Sequence, residues 1–428
     1  MSQKLLALSL LSLLLIPLWG SRAQTTEEIT LRFLWYADGN ETEVMQEVLT
    51  RFEAENPGIL VMIDEVAFSE IHDVLRLQLD AGEGPDLARI TFPGRFAGEY
   101  LDLRPYITDE QYWRQNFSPF ILGSMQAGPD DEGLYGYPTQ FTVAGPYINR
   151  SLFEAAGVPV PSDSHEEVTW EEWVAAAAEV QAALTKPGSP VYALALDRSG
   201  HRFWAYSLPN CANYIQADGA LLADSPGFRA SAEQLYNWHL EGLTPLEIWA
   251  GAGDQYVAAD QFFTAGQVAF YYSGSWQVSL FEREIGESFI WEAVPNPVGE
   301  CGRSGMPGGA VVTAFAGTQH PEALARLMDF LVQDESLRFY YENALSIPGH
   351  LGMIESGLSY PANNETLNTF TSQIPFLMDE AYALQYHPQS GDINGLIRRY
   401  LSEYISDLLT LDEALAGLQT ELDALSDN

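Results

Sequence analysis

The chain has 428 residues, with 59 acidic against 20 basic side chains and a formal net charge of −39. Hydrophobic residues at 46% and charged residues at 18% exclude a mainly disordered chain, and the length suits two or three domains. So acidic a surface argues against binding nucleic acid or anionic lipid, whose phosphates need a basic face.

Residues 1–23 are set apart from the fold. Lys4 precedes the apolar stretch Leu5 to Leu18, and Ser21-Arg-Ala23 places small residues before Gln24. This is the pattern of a cleavable secretory signal. The alternative, an uncleaved anchor, is disfavoured by Pro17 and by a length short of the roughly 20 residues of a membrane span. No Cys lies near the cleavage point, so no lipid anchor is expected and the mature chain is placed free in the periplasm.

Ile29 to Tyr36 reads as a strand ending in the turn Ala37-Asp-Gly39. Val44, Val48 and Phe52 mark one face of a helix stopped by Pro57-Gly58. A strand over 59–66, a helix carrying Ile71, Val74, Leu75 and Leu79, and a strand over 87–91 follow. The alternation predicts a parallel sheet with a crevice at the carboxyl ends of its strands. After a linker-like stretch near Gly136 to Asn149, Thr169-Trp-Glu-Glu172 is a capping box opening an Ala-rich helix over 170–184. A strand at 191–196, helices at 226–241 and 254–265, and a strand at 268–272 come next. Ser275 is expected to cap a helix begun by Trp276, Pro307-Gly308-Gly309 reads as a turn before a strand at 310–315, and Pro321 starts a helix over 321–333. The last helix has Thr410 and Glu413 as a capping box and a stripe of Leu411, Leu415, Leu418, Leu422 and Leu425.

Cys211 and Cys301 form either a disulfide closing a long loop, as an exported chain permits, or two buried thiols. No CxxC exists and the seven His are scattered, so no metal site is expected. There is no GxSxG, HExxH, P-loop or GxGxxG after the first strand, and acid pairs are too abundant among 59 acids to mark a glycosidase. The balance leans to binding rather than catalysis, with no cofactor. Aromatics make up 12% of the chain. A sugar wants a flat aromatic face under its C–H groups and polar side chains around its hydroxyls. Most rings belong to the core, and those at strand ends, Trp35, Tyr36, Phe92 and Trp276, are the better candidates.

Phe52-Glu-Ala-Glu-Asn-Pro-Gly58, Ala81-Gly-Glu-Gly-Pro-Asp86, Tyr135-Gly-Tyr-Pro138 with Tyr147-Ile-Asn149, Val168-Thr-Trp-Glu-Glu172, Phe262 to Phe270 with Gly274-Ser-Trp276, and Leu409 to Leu415 occur in that order. Together they resemble the family 1 extracellular solute-binding proteins of ABC importers, the maltose/oligosaccharide-binding group. The resemblance implies an α/β fold of two lobes joined by crossing segments, with the ligand in the cleft between them. It places the first lobe at 24–144 plus 310–350 and the second at 145–309 plus 351–428. Both cysteines then fall in the second lobe, where a bond would not lock the hinge.

The same likeness suggests Trp276 for ring stacking, Arg95 as a sugar-contacting arginine, and Gln140 and Thr142 as cleft residues. Tyr36, Asp38 and Glu41 sit in a ligand-facing loop, with Phe92 at a neighbouring strand end, and Gly308 and Gly309 resemble a glycine pair close to ligand. Asp86 reads as structural. Pro209-Asn-Cys211 departs from the family pattern, which leaves any inherited contact around 204–214, Trp204 included, in question. The expected partners are a carbohydrate and the transmembrane subunits of a permease, with the chain itself a monomer. A phosphorylated polyol as ligand, a secreted glycoside hydrolase, and a sensor that hands its ligand to a receptor are the other readings.

Overall fold

The structure is a computed structural model, and it describes residues 28–128, 130–251 and 256–426. The signal-like residues 1–23 lie outside that range.

Among the described residues, twelve strands form two main sheets and a small hairpin. The first sheet has β1 (Ile29–Trp35), β2 (Ile59–Glu65), β3 (Leu87–Ile90) and β4 (Gly136–Pro138). The second has β5 (Thr142–Asn149), β6 (Tyr192–Leu196), β7 (Val268–Gly274) and β8 (Trp291–Ala293). A hairpin of β9 (Val298–Gly299) and β10 (Gly302–Arg303) follows, then β11 (Pro307–Gly308) and β12 (Val311–Ala314). In the first sheet the order is β2-β1-β3-β12-β4; in the second it is β11-β5-β7-β6, with β8 on β5.

Three-residue and two-residue links join the sheets. The chain leaves the first after Pro138, enters the second at Thr142, and returns between Gly308 and Val311. This return adds an antiparallel strand to the three strands that the alternation predicts as parallel. β1 pairs with β2 and β3 in parallel, but β12 lies antiparallel between β3 and β4. The chain arrives from the other lobe at the carboxyl end of β3, pairing Val311 with Ile90, and can only run back down the sheet. A third crossing follows helix Asp334–Asn343, which packs on helix Glu41–Glu55 of the first lobe, whereas helix Asn364–Gln373 packs on β5 and β8 of the second. The remaining C-terminal helices cover the second lobe.

Local chemistry explains most boundaries. Thr169 and Glu172 exchange both capping-box bonds at the start of helix Trp170–Leu184, and Thr410 and Glu413 repeat the device before the last helix. The helix at Pro226–Leu240 is capped by the Ser225 hydroxyl. Other boundaries differ from the expectation. Ser275 opens a 3-10 turn, Ser275–Gln277, and its hydroxyl accepts the Val143 N–H at 3.2 Å instead of capping; the α-helix begins at Val278. Pro307 and Gly308 are not a free turn but pair with Val143 and Thr142. The helix expected at 254–265 is Ala259–Thr264, its proposed first residues lying among those not described.

Asp86 acts structurally: its carboxylate accepts the Arg32 N–H at 2.8 Å and the Thr318 hydroxyl, tying β1 to the loop after β12. Cys211 and Cys301 are bonded, with Cα atoms 5.2 Å apart. The bond fastens the segment after helix Gly200–Ser207 to the β9–β10 hairpin, where the Cys301 N–H also donates to the Pro209 carbonyl at 2.8 Å.

Candidate functional site

A cavity of about 690 Å³ opens between the two sheets, walled by loops at strand ends and by the crossing segments. A second, of about 820 Å³, lies on the outer side of the second lobe, but its rings Trp170, Tyr206 and Trp238 are only 4%, 2% and 2% exposed and pack on one another. It offers a ligand almost no ring face, so the cleft is the candidate site.

From the first lobe, the loop after β1 brings Tyr36 and Asp38 to the wall, and the loop after β3 brings Phe92. Phe92 has φ 51°, a left-handed conformation that costs a side-chain-bearing residue about 1–3 kcal/mol and that clusters at functional sites. Phe68, which the sequence did not single out, stands 47% exposed at the rim with its ring 5.0 Å from that of Tyr36. The crossing segments add Gln140, Thr142, Gly308 and Gly309.

From the second lobe, Trp276 enters the cavity from the 3-10 turn after β7. Its six-membered ring lies where a Cβ on Gly274 would be, 1.9 Å away, which is the physical reason for Gly at the head of the Gly-Ser-Trp run. The Arg202 guanidinium sits 4.0 Å from the Trp276 ring centre. Arg202 also pairs with Asp197 at 3.3 Å, and Asp197 accepts from the Tyr271 and Ser273 hydroxyls at 2.5 and 2.7 Å. His201 Nε2–H donates to the Pro307 carbonyl at 3.0 Å, which leaves Nδ1 to accept from Arg202. Burial, with Arg202 beside it, pushes His201 down to about 3, so the imidazole is neutral at ordinary pH and pins the crossing strand.

Two expected residues are placed elsewhere. Arg95 is off the wall, its guanidinium 3.2 Å from Asp392. Glu41 is buried behind the wall, accepting the Gly39 N–H at 2.6 Å and facing the Arg89 guanidinium at 3.7 Å. Arg89 is the group the sequence hid most completely. It is wholly buried in β3, donates to the Tyr36 carbonyl at 2.5 Å, and lies 4.3 Å from the centre of the Tyr36 ring. Together Arg89 and Glu41 brace the loop that carries Tyr36 and Asp38. Trp204 is buried in the second lobe and does not reach the cleft.

Among the described residues the ionisable lining holds Asp38, Asp197 and Asp260 with Arg198, Arg202 and Arg398. Burial pushes Asp260 up, with Asp197 adding to the rise. Burial also pushes Asp38 up to about 7 from 3.8, with Glu41 reinforcing and Arg89 and Arg202 opposing. Between about pH 4 and 7 the folded chain therefore keeps a proton on Asp38 that the unfolded chain has lost, and stability falls as pH rises through that window. Asp38→Asn is expected to remove this component: from pH 5 to 8 the variant's melting temperature should drop less than that of the parent. Equal drops would show that Asp38 does not hold the proton.

Among the described residues no group of His, Cys, Asp and Glu could hold a metal ion, and no helix is long and apolar enough to cross a membrane. A candidate binding protein of Brucella abortus is 24% identical over 349 residues, 77% of this chain and 78% of that one. Two solved structures share the fold at TM-score 0.77. The GacH receptor of Streptomyces glaucescens, studied unliganded and with acarbose, is 18% identical over 92% of this chain and 98% of its own. An ABC transporter solute-binding protein of Thermotoga lettingae bound with α-D-tagatose is 19% identical over 92% and 99%. The model of the bacterial extracellular solute-binding protein family matches residues 38–337, well over half of the sequence. With its two lobes and intervening cleft, this chain belongs to the bacterial extracellular solute-binding proteins.

Proposed function

We propose that the chain is the extracytoplasmic binding component of an ABC importer, freed from residues 1–23 on export. It captures a neutral sugar or oligosaccharide between its lobes and presents the closed form to a membrane permease. The observation that carries the reading is the lining of the cleft. Aromatic side chains come from both lobes, Phe68 and Phe92 from the first and Tyr256 and Trp276 from the second, among amide, hydroxyl and paired charged groups suited to a rim of hydroxyls. The volume of about 690 Å³ is in the range of small-ligand sites.

Arg202 is already held by Asp197 at 3.3 Å, which favours a neutral ligand over a phosphorylated polyol that would need that charge for its anion. Membership of a binding-protein family favours capture without turnover over the glycoside hydrolase reading. Closure is a hinge motion about the crossing segments, stabilised by ligand contacts to both lobes.

Trp276→Ala is expected to weaken sugar binding by about 1–3 kcal/mol, the usual worth of a central aromatic anchor. Isothermal titration against the parent's preferred sugar measures it. Undiminished affinity in a folded variant would remove Trp276 from the site.

A further inference from the structure

At two of the places where the lobes touch, a first-lobe loop brings a glycine against the second lobe. Gly39 faces the helix Val278–Glu284, which packs in the second lobe. A Cβ on Gly39 would lie 1.9 Å from Ser279 Oγ, 2.9 Å from Ser279 Cβ and 3.2 Å from the Leu280 nitrogen. Arg283 of that helix donates to the Gly39 carbonyl at 3.0 Å. Gly94 faces the turn before helix Ser390–Ile405. A Cβ there would lie 2.7 Å from the Pro388 carbonyl oxygen and 3.0 Å from its Cα, both backbone atoms that no rotamer change can move. The Arg95–Asp392 ion pair closes over this second contact.

Neither glycine has a positive φ, so neither is there for backbone freedom. What a side chain would meet at both places is the opposite lobe. We infer that Gly39 and Gly94 are the bearing points of lobe closure: a methyl group at either one holds the lobes apart and weakens capture while leaving each lobe intact. The Arg95–Asp392 pair gives Arg95 a role in closing the cleft rather than in touching the ligand. Apparent affinity scales with the closed fraction, so a tenfold loss of that fraction raises the apparent Kd by about tenfold. The inference rests on hinge closure but not on the identity of the solute.

The test needs no ligand. A Cβ built on Gly391 lies 3.3 Å from Phe92 Cβ, close to the roughly 3.5–4.5 Å span of a disulfide, and 2.9 Å from Arg95 Cδ, part of a flexible side chain that can swing aside where the backbone at Gly94 cannot. Phe92→Cys with Gly391→Cys is therefore a reporter that locks when the lobes meet, read by mass spectrometry of the new cross-link in a glutathione buffer that leaves the Cys211–Cys301 bond intact. The reporter chain is expected to cross-link. Gly39→Ala added to it should slow cross-linking by about tenfold or more, as should Gly94→Ala. Ser279→Gly, which removes both side-chain atoms nearest the added methyl, should restore the Gly39→Ala rate. The melting temperature of the reduced protein should be unchanged by Gly39→Ala. No cross-link in the reporter, an undiminished rate in either alanine variant, or a fall in melting temperature without rescue by Ser279→Gly would each overturn the inference.

Discussion

Replacing Cys211 and Cys301 together by serine is expected to lower the unfolding free energy by about 4–5 kcal/mol. The bond closes a loop of 90 residues in sequence, so its loss releases a large conformational freedom to the unfolded chain. Both cysteines lie in the second lobe and neither lines the cleft, so the variant should retain ligand affinity at temperatures where it stays folded. Denaturant unfolding of parent and variant measures the first effect and titration of the folded variant the second. An unchanged midpoint would mean that the β9–β10 hairpin is held equally well by its other contacts, among them the Cys301 N–H bond to Pro209.

Arg89→Met is expected to cost about 3–5 kcal/mol, the usual penalty for leaving one member of a buried ion pair alone. Glu41 would keep only the Gly39 N–H as its bonded partner, and the Tyr36 carbonyl would lose its donor. The loop holding Tyr36 and Asp38 should slacken, so ligand affinity should fall together with stability. Arg89→Met combined with Glu41→Gln should recover part of the stability, because no buried carboxylate then lacks its counter-charge. A double variant no more stable than the single one would show that the pair is not what holds the loop.

The strands and helices of the first lobe are legible in the sequence because each is bounded by a breaker with a clear physical meaning. Pro57-Gly58 ends one helix and the Gly82 to Pro85 run ends another. The antiparallel β12 is not legible, since its direction depends on where the chain returns from the other lobe. Part of the cleft follows from a simple rule, that ligand groups gather at the carboxyl ends of strands. Tyr36, Asp38 and Phe92 obey it after β1 and β3, and all three line the cavity. The same rule applied after β6 points to Asp197 and Arg198, which stand there in just that way.

Arg202, Asp260 and Arg398 sit on helices, where orientation is set by packing rather than by a local pattern. Arg89 is hidden for a different reason. In the run Leu-Ala-Arg-Ile its charge looks like a break in a buried strand, and only the carbonyl of Tyr36 and the carboxylate of Glu41, far away in sequence, show why an arginine belongs there. Arg95 and Glu41 lie close in sequence to lining residues, yet each is turned toward a partner instead of the cavity. Neighbourhood in sequence places a loop at a cleft, but does not decide which side chains enter it.

The most direct test of the account is the melting temperature of the chain from Gln24 onward against neutral mono- and oligosaccharides, glycerol phosphate and amino acids. A ligand at 100 times its dissociation constant adds about 2.7 kcal/mol of stability, enough to register as a clear rise. The account predicts a rise with a neutral sugar, recovery of that sugar unaltered, and a smaller rise in the Trp276→Ala variant. A rise with glycerol phosphate or an amino acid and none with any neutral sugar, or release of a cleaved sugar, would contradict it.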